Sequence, residues 1–169
     1  MAYLTDVVSS LAVSYSSQQI ANAFLALAKE QGKSLTNMQV QKLVYYANGF
    51  NLALNEKPLI KDEVRAWNFG PVMPSLYNDL KQFGNGFVTA PIPDYEVPGK
   101  GDDFTWALLG RVFELYGNVS GARLSAATHL AGSPWDKTYK GAKFSVIPSD
   151  LIKDYFKSRL IRDPSATAA

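Results

Sequence analysis

The sequence contains no cysteine and a single histidine, His129. Without a thiol the chain has no disulfide, no thiolate metal ligand and no cysteine nucleophile, which fits a reducing cytoplasm. His129 has no second imidazole with which to share a metal ion, and no cysteine with which to form a nucleophile pair. We therefore expect a cytoplasmic protein that is not an enzyme and that holds no cofactor and no metal.

Long apolar runs and clustered charge are also missing. No apolar stretch approaches the ~20 residues that a membrane-spanning helix needs, and Asp6 interrupts the apolar residues near the start, where a signal peptide would be continuous. The net charge is +2, and lysine and arginine are scattered among acidic residues. Nucleic-acid binders concentrate basic residues on one face, so neither a membrane nor a nucleic acid is an expected partner.

Two helix starts are well defined among the residues that are present. Ser16 and Gln19 have the spacing of a capping box, and Thr36 and Gln39 repeat it. In such a box the hydroxyl accepts from a first-turn N–H while the glutamine reaches back to the capping residue. Only the three residues 33–35 separate the two predicted helices, so we expect them to pack as antiparallel neighbours.

The rest of the chain predicts short elements and one long loop. Alternation over residues 63–69 predicts a short strand or an extended arm, which Gly70 and Pro71 interrupt. Residues 84–103 contain too many glycines and prolines for a regular helix, although residues 88–92 could form a small strand, and a loop of this length is usually functional. Helical spacing resumes at Phe104 and continues to about Leu160.

The predicted fold is mainly α, a single compact domain of about six to seven helices with the extended arm near residues 63–69. The 169 residues are typical of one domain. We expect an N-terminal extension with a short helix over residues 1–15, the domain itself over residues 16–162, and a disordered polar tail over residues 163–169.

An ordered set of short motifs resembles a known family. The first block contains Leu35-Thr36, Gln41-Lys42-Leu43, Tyr45-Tyr46, Lys57-Pro58-Leu59, Ala66-Trp67, Gly70-Pro71-Val72 and Leu76-Tyr77, and the second contains Leu124-Ser125, Thr128-His129 and Pro134-Trp135. In order and spacing these blocks resemble the Panacea domain of SocA-like antitoxins, many of which are carried by prophages. The resemblance covers most of residues 16–160.

The resemblance implies an antitoxin that binds a cognate protein toxin encoded nearby and neutralises it by direct sequestration. Two alternatives stay open at this point. The protein could be an adaptor that delivers the toxin to a protease, or a phage-encoded regulatory protein. The sequence leaves the identity of the toxin and the oligomeric state open.

Several polar and aromatic residues in or beside these motifs are candidates for contact with the partner, together with the loop 84–103. The candidates are Lys42, Tyr45, Tyr46, Trp67, Phe69, His129 and Trp135. Structural roles are the alternative for most of them. The two tyrosines could seal the core, Lys42 could bind a carbonyl or an acid, Trp67 could anchor the arm, and His129 could brace the turn at residues 132–135.

Overall fold

A computed structural model describes residues 14–162 of the chain. Its first two helices are α1 (Ser17–Glu30) and α2 (Asn37–Asn55). Both predicted capping boxes are confirmed: Ser16 Oγ accepts from the Gln19 N–H at 3.1 Å, and Thr36 Oγ1 accepts from the Gln39 N–H at 3.2 Å. The predicted helix near the N-terminus lies almost wholly outside the described residues, as does the predicted tail 163–169.

The remaining elements alternate short pieces with two longer helices. They are β1 (Arg65–Trp67), β2 (Gly70–Val72), α3 (Pro74–Leu80) with a 3-10 turn at Lys81–Phe83, α4 (Asp103–Tyr116), α5 (Gly121–Thr128), α6 (Pro134–Gly141) and α7 (Ser149–Arg162). Seven α-helices and one two-stranded sheet lie within residues 14–162. The predicted mainly α fold is therefore confirmed. Over the same range, no helix combines the length and the apolar character that crossing a bilayer requires.

Helix α2 is the centre of the fold. It contacts α1, α3, α4, α5, α7 and β2, and 14 of its 19 residues are buried. At its crossing with α7, the ring of Phe156 is fully buried and packs edge-on against Tyr45, Tyr46 and Phe50. Gly49 permits this close approach, because a Cβ at that position would lie 2.3 Å from the Phe156 ring.

The predicted extended arm is one half of a β-hairpin. Strand β1 pairs antiparallel with β2, with Trp67 opposite Gly70, and residues 68 and 69 form the turn. Strand β1 ends before Gly70 and Pro71, and these two residues begin a second strand that the sequence did not predict. Gly70 has a φ of 110°, a conformation that glycine adopts without the steric penalty of a side chain.

The long loop between the 3-10 turn and α4 contains no helix, as predicted, but it is tied to the domain. The Asn22 side chain donates to the carbonyls of Ile92 and Tyr95 at 2.9 and 2.8 Å and accepts from the Ile92 N–H at 2.8 Å. The Val88 N–H donates to the Leu35 carbonyl. The small strand predicted for residues 88–92 is absent, and the one β-bridge of this loop is at Phe87.

Candidate functional site

Side chains of the second motif block hold the turn of the β-hairpin. The Trp135 Nε1–H donates to the Trp67 carbonyl at 2.6 Å, and Ser125 Oγ donates to the Phe69 carbonyl at 2.7 Å. Between them, His129 Nε2 lies 3.0 Å from the Asn68 carbonyl oxygen. Three successive backbone carbonyls of the turn therefore have side-chain partners from α5, its C-cap and α6, which restricts the backbone at the tip of the hairpin.

Side chains of the first motif block bind the backbone of the second strand and of the residue that follows it. Lys42 Nζ donates to the Pro71 carbonyl at 3.1 Å, and Gln41 Oε1 accepts from the Met73 N–H at 3.2 Å. Gly70 lies between these groups and α5, because a Cβ there would be 2.6 Å from Thr128 Oγ1 and 3.1 Å from Lys42 Cε. The two separated sequence blocks meet around this hairpin.

Aromatic rings reinforce the far side of the turn. Trp135 stacks on Tyr139 with a centroid distance of 4.4 Å, and its centroid is 3.9 Å from that of the His129 ring. The Tyr139 hydroxyl donates to Asn68 Oδ1 at 2.7 Å. These contacts support the predicted bracing role of His129, but the braced element is the hairpin turn as well as the helix that carries Trp135.

A cleft of about 330 Å³ opens beside the hairpin. Four aromatic residues line it, namely Trp67, Phe69, Tyr77 and Phe144. Phe69 at the tip of the hairpin is 67% exposed, and Phe144 is 51% exposed. Trp67 is in edge contact with Tyr77, at a centroid distance of 5.2 Å. An exposed aromatic surface of this kind is typical of a protein-binding site.

The charge of the cleft has one sign. Within residues 14–162, Lys42 and Lys81 line it together with neutral residues, and no aspartate or glutamate does. Lys42 is 1% exposed, and burial lowers the pKa of its ammonium to about 7. The cleft thus combines an aromatic rim with a buried amine whose charge has been made unfavourable by desolvation.

The structure brings most of the candidate contact residues together, but not all. Lys42, Trp67, Phe69, His129 and Trp135 surround the hairpin, and among these Phe69 is the exposed one. Tyr45 and Tyr46 lie on another side of α2, where both are buried. The Tyr46 ring stacks on Tyr116 at 4.6 Å, and burial raises the pKa of its phenol to about 12. The packing of these tyrosines is that of core residues, so in this conformation they offer no surface to a partner.

Several residues of the site were not singled out from the sequence. Asn68, Phe144 and Tyr139 belong to neither motif block, yet they form the turn, the cleft rim and the bracing stack. Phe144 reaches the cleft because its N–H donates to the Ala66 carbonyl at 2.8 Å, which places the segment before α7 against β1. A backbone contact across 78 residues has no local sequence signal.

The fold defines the class of this protein, a helical domain in which the two motif blocks meet around one hairpin. Similarity to known proteins identifies its family. Residues 40–136 match the family model described as antitoxin SocA-like, Panacea domain, and this range includes all seven candidate contact residues. The chain belongs to this family. It is 27% identical to Antitoxin SocA of Caulobacter vibrioides (strain NA1000 / CB15N) over 158 residues, which cover 85% of this chain and 84% of that protein. No solved structure matches the chain. Family membership supports an antitoxin role.

Proposed function

We propose that this protein neutralises a protein toxin, encoded by a neighbouring gene, by binding it directly through the hairpin tip and the aromatic cleft. The observation that carries the proposal is the exposure of Phe69, at 67%, on a hairpin that the family's motif residues hold in place. No catalytic step is required of this chain, because occlusion of the toxin's own site is sufficient for sequestration.

The aromatic rim has the composition of a strong contact surface. Aromatic side chains dominate the binding energy of protein interfaces, and a few of them usually account for most of it. Phe69, Phe144 and Tyr77 expose large apolar areas around one cleft. Burying these areas against a partner removes them from water, which favours association.

The rigid hairpin favours affinity for a second reason. The carbonyls of residues 67, 68, 69 and 71 each have a side-chain partner. A loop that is already held in its bound shape loses less conformational entropy when the partner binds. On this proposal the motif residues are positioning residues, and the exposed residues between them contact the toxin.

The proposal is tested by expressing this chain and the toxin from separate promoters in one cell. Growth is scored first, then the toxin is quantified, and then the complex is isolated by a tag on this chain. Restored growth with the toxin at full level in a stable complex supports sequestration.

Two other outcomes contradict direct sequestration. Restored growth with the toxin removed would indicate that the chain delivers the toxin to a protease. Neither restored growth nor a complex, with the toxin demonstrably active, would contradict the antitoxin role itself and favour a different regulatory function.

A further inference from the structure

Three neighbouring residues of α2 that line the aromatic cleft are here called its floor, namely Asn37, Gln41 and Lys42, and two of them carry buried polar atoms without partners. Within residues 14–162, three buried side-chain atoms have no hydrogen-bond partner: Asn37 Oδ1, Gln41 Nε2 and Thr138 Oγ1. The first two belong to residues that line this cleft. The orientation of the Gln41 amide follows from its contact with the Met73 N–H, which occupies Oε1 and leaves Nε2 without an acceptor. A buried donor without an acceptor is unfavourable, so an acceptor supplied to Gln41 Nε2 would stabilise the floor.

Lys42 adds donors of the same kind. Its ammonium can donate three hydrogen bonds, and the structure shows one, to the Pro71 carbonyl. No ion pair within the described part of the chain includes Lys42. Among the described residues, Lys81 lines the same cleft and no acidic residue does, so the side chains of the site can supply positive charge and unused donors to an anion but no competing carboxylate.

We propose that the floor of this cleft accepts a carboxylate carried on a peptide, supplied by an aspartate or glutamate side chain of the protein toxin. That the carboxylate comes from a toxin rests on the proposed function. That the site binds a carboxylate on a peptide does not rest on it. Gln41 Nε2 and Lys42 Nζ would donate to the carboxylate oxygens, and Asn37 Oδ1 would accept from a nearby peptide N–H.

A peptide fits the site better than a free inorganic anion for two reasons. An inorganic anion at neutral pH offers little to the acceptor Asn37 Oδ1, whereas a peptide backbone has N–H groups. Trp67, Phe69 and Phe144 also line the cleft, and their rings can contact the apolar atoms of a peptide beside its carboxylate. Gln41 Nε2 is shielded from solvent in the unbound chain, so binding of a carboxylate requires side chains of the cleft to move.

The chemistry is tested first without a toxin. The ¹⁵N-labelled full chain is titrated with N-acetyl-phenylalanyl-glutamyl-amide and, in parallel, with the neutral glutaminyl analogue. We expect amide shifts over residues 67–73, and about tenfold or greater preference for the glutamyl peptide, since hydrogen bonds to a charged acceptor are stronger than those to a neutral one. Equal binding of the two peptides, or shifts confined to other parts of the chain, would overturn the proposal.

Three variants locate the effect. Lys42→Met removes the cation, and Gln41→Glu keeps an acceptor for Met73 while placing a carboxylate inside the site. Both variants should lose the preference for the glutamyl peptide. Lys61→Met, at an exposed lysine outside the cleft, should retain it. Because Gln41→Glu preserves the contact with Met73, it tests the site even if Lys42→Met fails to fold.

The source of the carboxylate is tested in the complex. Each aspartate and glutamate of the toxin is changed to its amide, and affinities are measured for wild-type and Lys42→Met partners. We expect one acidic residue whose change weakens binding to the wild-type chain about tenfold or more and weakens binding to Lys42→Met much less, as in a double-mutant cycle. A stable complex without such a residue overturns the protein source and leaves the proposed function intact. Absence of any complex contradicts the proposed function, and the peptide titration then decides the chemistry alone.

Discussion

Lys42 and Gly70 meet beneath the hairpin turn, and the position of each depends on the other. The absence of a side chain at Gly70 makes room for the Lys42 amine, which would lie 3.2 Å from a Cβ there. The amine in turn binds the carbonyl of the next residue, Pro71. A glycine with positive φ and a buried lysine are each unusual alone. In this chain each of them is accommodated by the other.

The first prediction concerns Gly70→Ala. A side chain at a φ of 110° is strained, and its Cβ would clash with Thr128 Oγ1. We expect the free energy of unfolding to fall by about 2–3 kcal/mol, measured by urea denaturation. Gly99→Ala is the control, because a Cβ there meets nothing within 4 Å. A Gly70→Ala variant as stable as the control would contradict the close packing around the hairpin.

The second prediction concerns Lys42 and pH. Burial lowers the pKa of Lys42 to about 7 in the folded chain, while the unfolded chain keeps a value near 10.4. Between about pH 7 and pH 10 the unfolded chain therefore holds a proton that the folded chain releases. Raising the pH through this window favours folding by about 1.4 kcal/mol per unit, and this contribution disappears as the pH falls to 7.

Lys42→Met removes that dependence. From pH 7 to pH 9 the wild-type chain should gain on the order of 2–3 kcal/mol of stability relative to Lys42→Met. Chemical denaturation at the two pH values measures the difference. Lys81→Met, at an exposed lysine of the same cleft, should behave like the wild type. Parallel pH profiles for Lys42→Met and the wild type would show that Lys42 keeps an ordinary titration in the folded chain.

Among the secondary-structure elements, α2 shows which features local sequence patterns can predict and which they cannot. Its capping box and its core positions Leu43, Val44 and Ala47 were predictable, because both follow from short-range spacing. The burial of its polar side chains was not, since it depends on partners supplied by distant segments. Gln41 binds Met73, and Asn48 Oδ1 accepts from the Leu59 N–H at 2.9 Å. A helix can therefore look amphipathic in its sequence and still be buried on every side, because tertiary contacts satisfy its polar residues.

The third prediction tests the crossing of α2 and α7. Gly49→Ala places a methyl group against the ring of Phe156, which is enclosed by other aromatics. We expect overpacking to outweigh the better helix propensity of alanine, with a net loss of roughly 1–2 kcal/mol in the free energy of unfolding. The change in melting temperature, followed by circular dichroism, measures this loss.

Gly110→Ala in α4 is the matched control. This glycine is also helical, but a Cβ there has no neighbour within 4 Å. Alanine should therefore stabilise the chain by up to about 1 kcal/mol. If the two substitutions change stability in the same direction, the close contact between α2 and α7 is not what limits position 49.

At the scale of the whole molecule, the cleft is assembled from segments that span residues 37 to 144. The ordered motifs predicted several of its residues, including Lys42 and Trp67, and the alternation beside them predicted Phe69. They did not predict that both blocks bind one hairpin, nor that Phe144 completes the rim. The first feature depends on contacts that α2, α5 and α6 make with the hairpin, and the second on the pairing of β1 with the segment before α7. Neither kind of long-range contact leaves a periodic signal in the sequence.

The decisive measurement for the proposed toxin-binding surface is the affinity of the toxin for Phe69→Ala, determined by calorimetry with purified proteins. Phe69 is exposed, so its truncation should leave the fold intact and remove the largest contact at the hairpin tip. Phe104→Ala is the control, an exposed phenylalanine on α4 that does not line the cleft. We expect the affinity for the toxin to fall about 30-fold or more in Phe69→Ala, as for a hot spot, and to change little in Phe104→Ala. Unchanged affinity in Phe69→Ala would contradict the assignment of the hairpin and cleft as the toxin-binding surface.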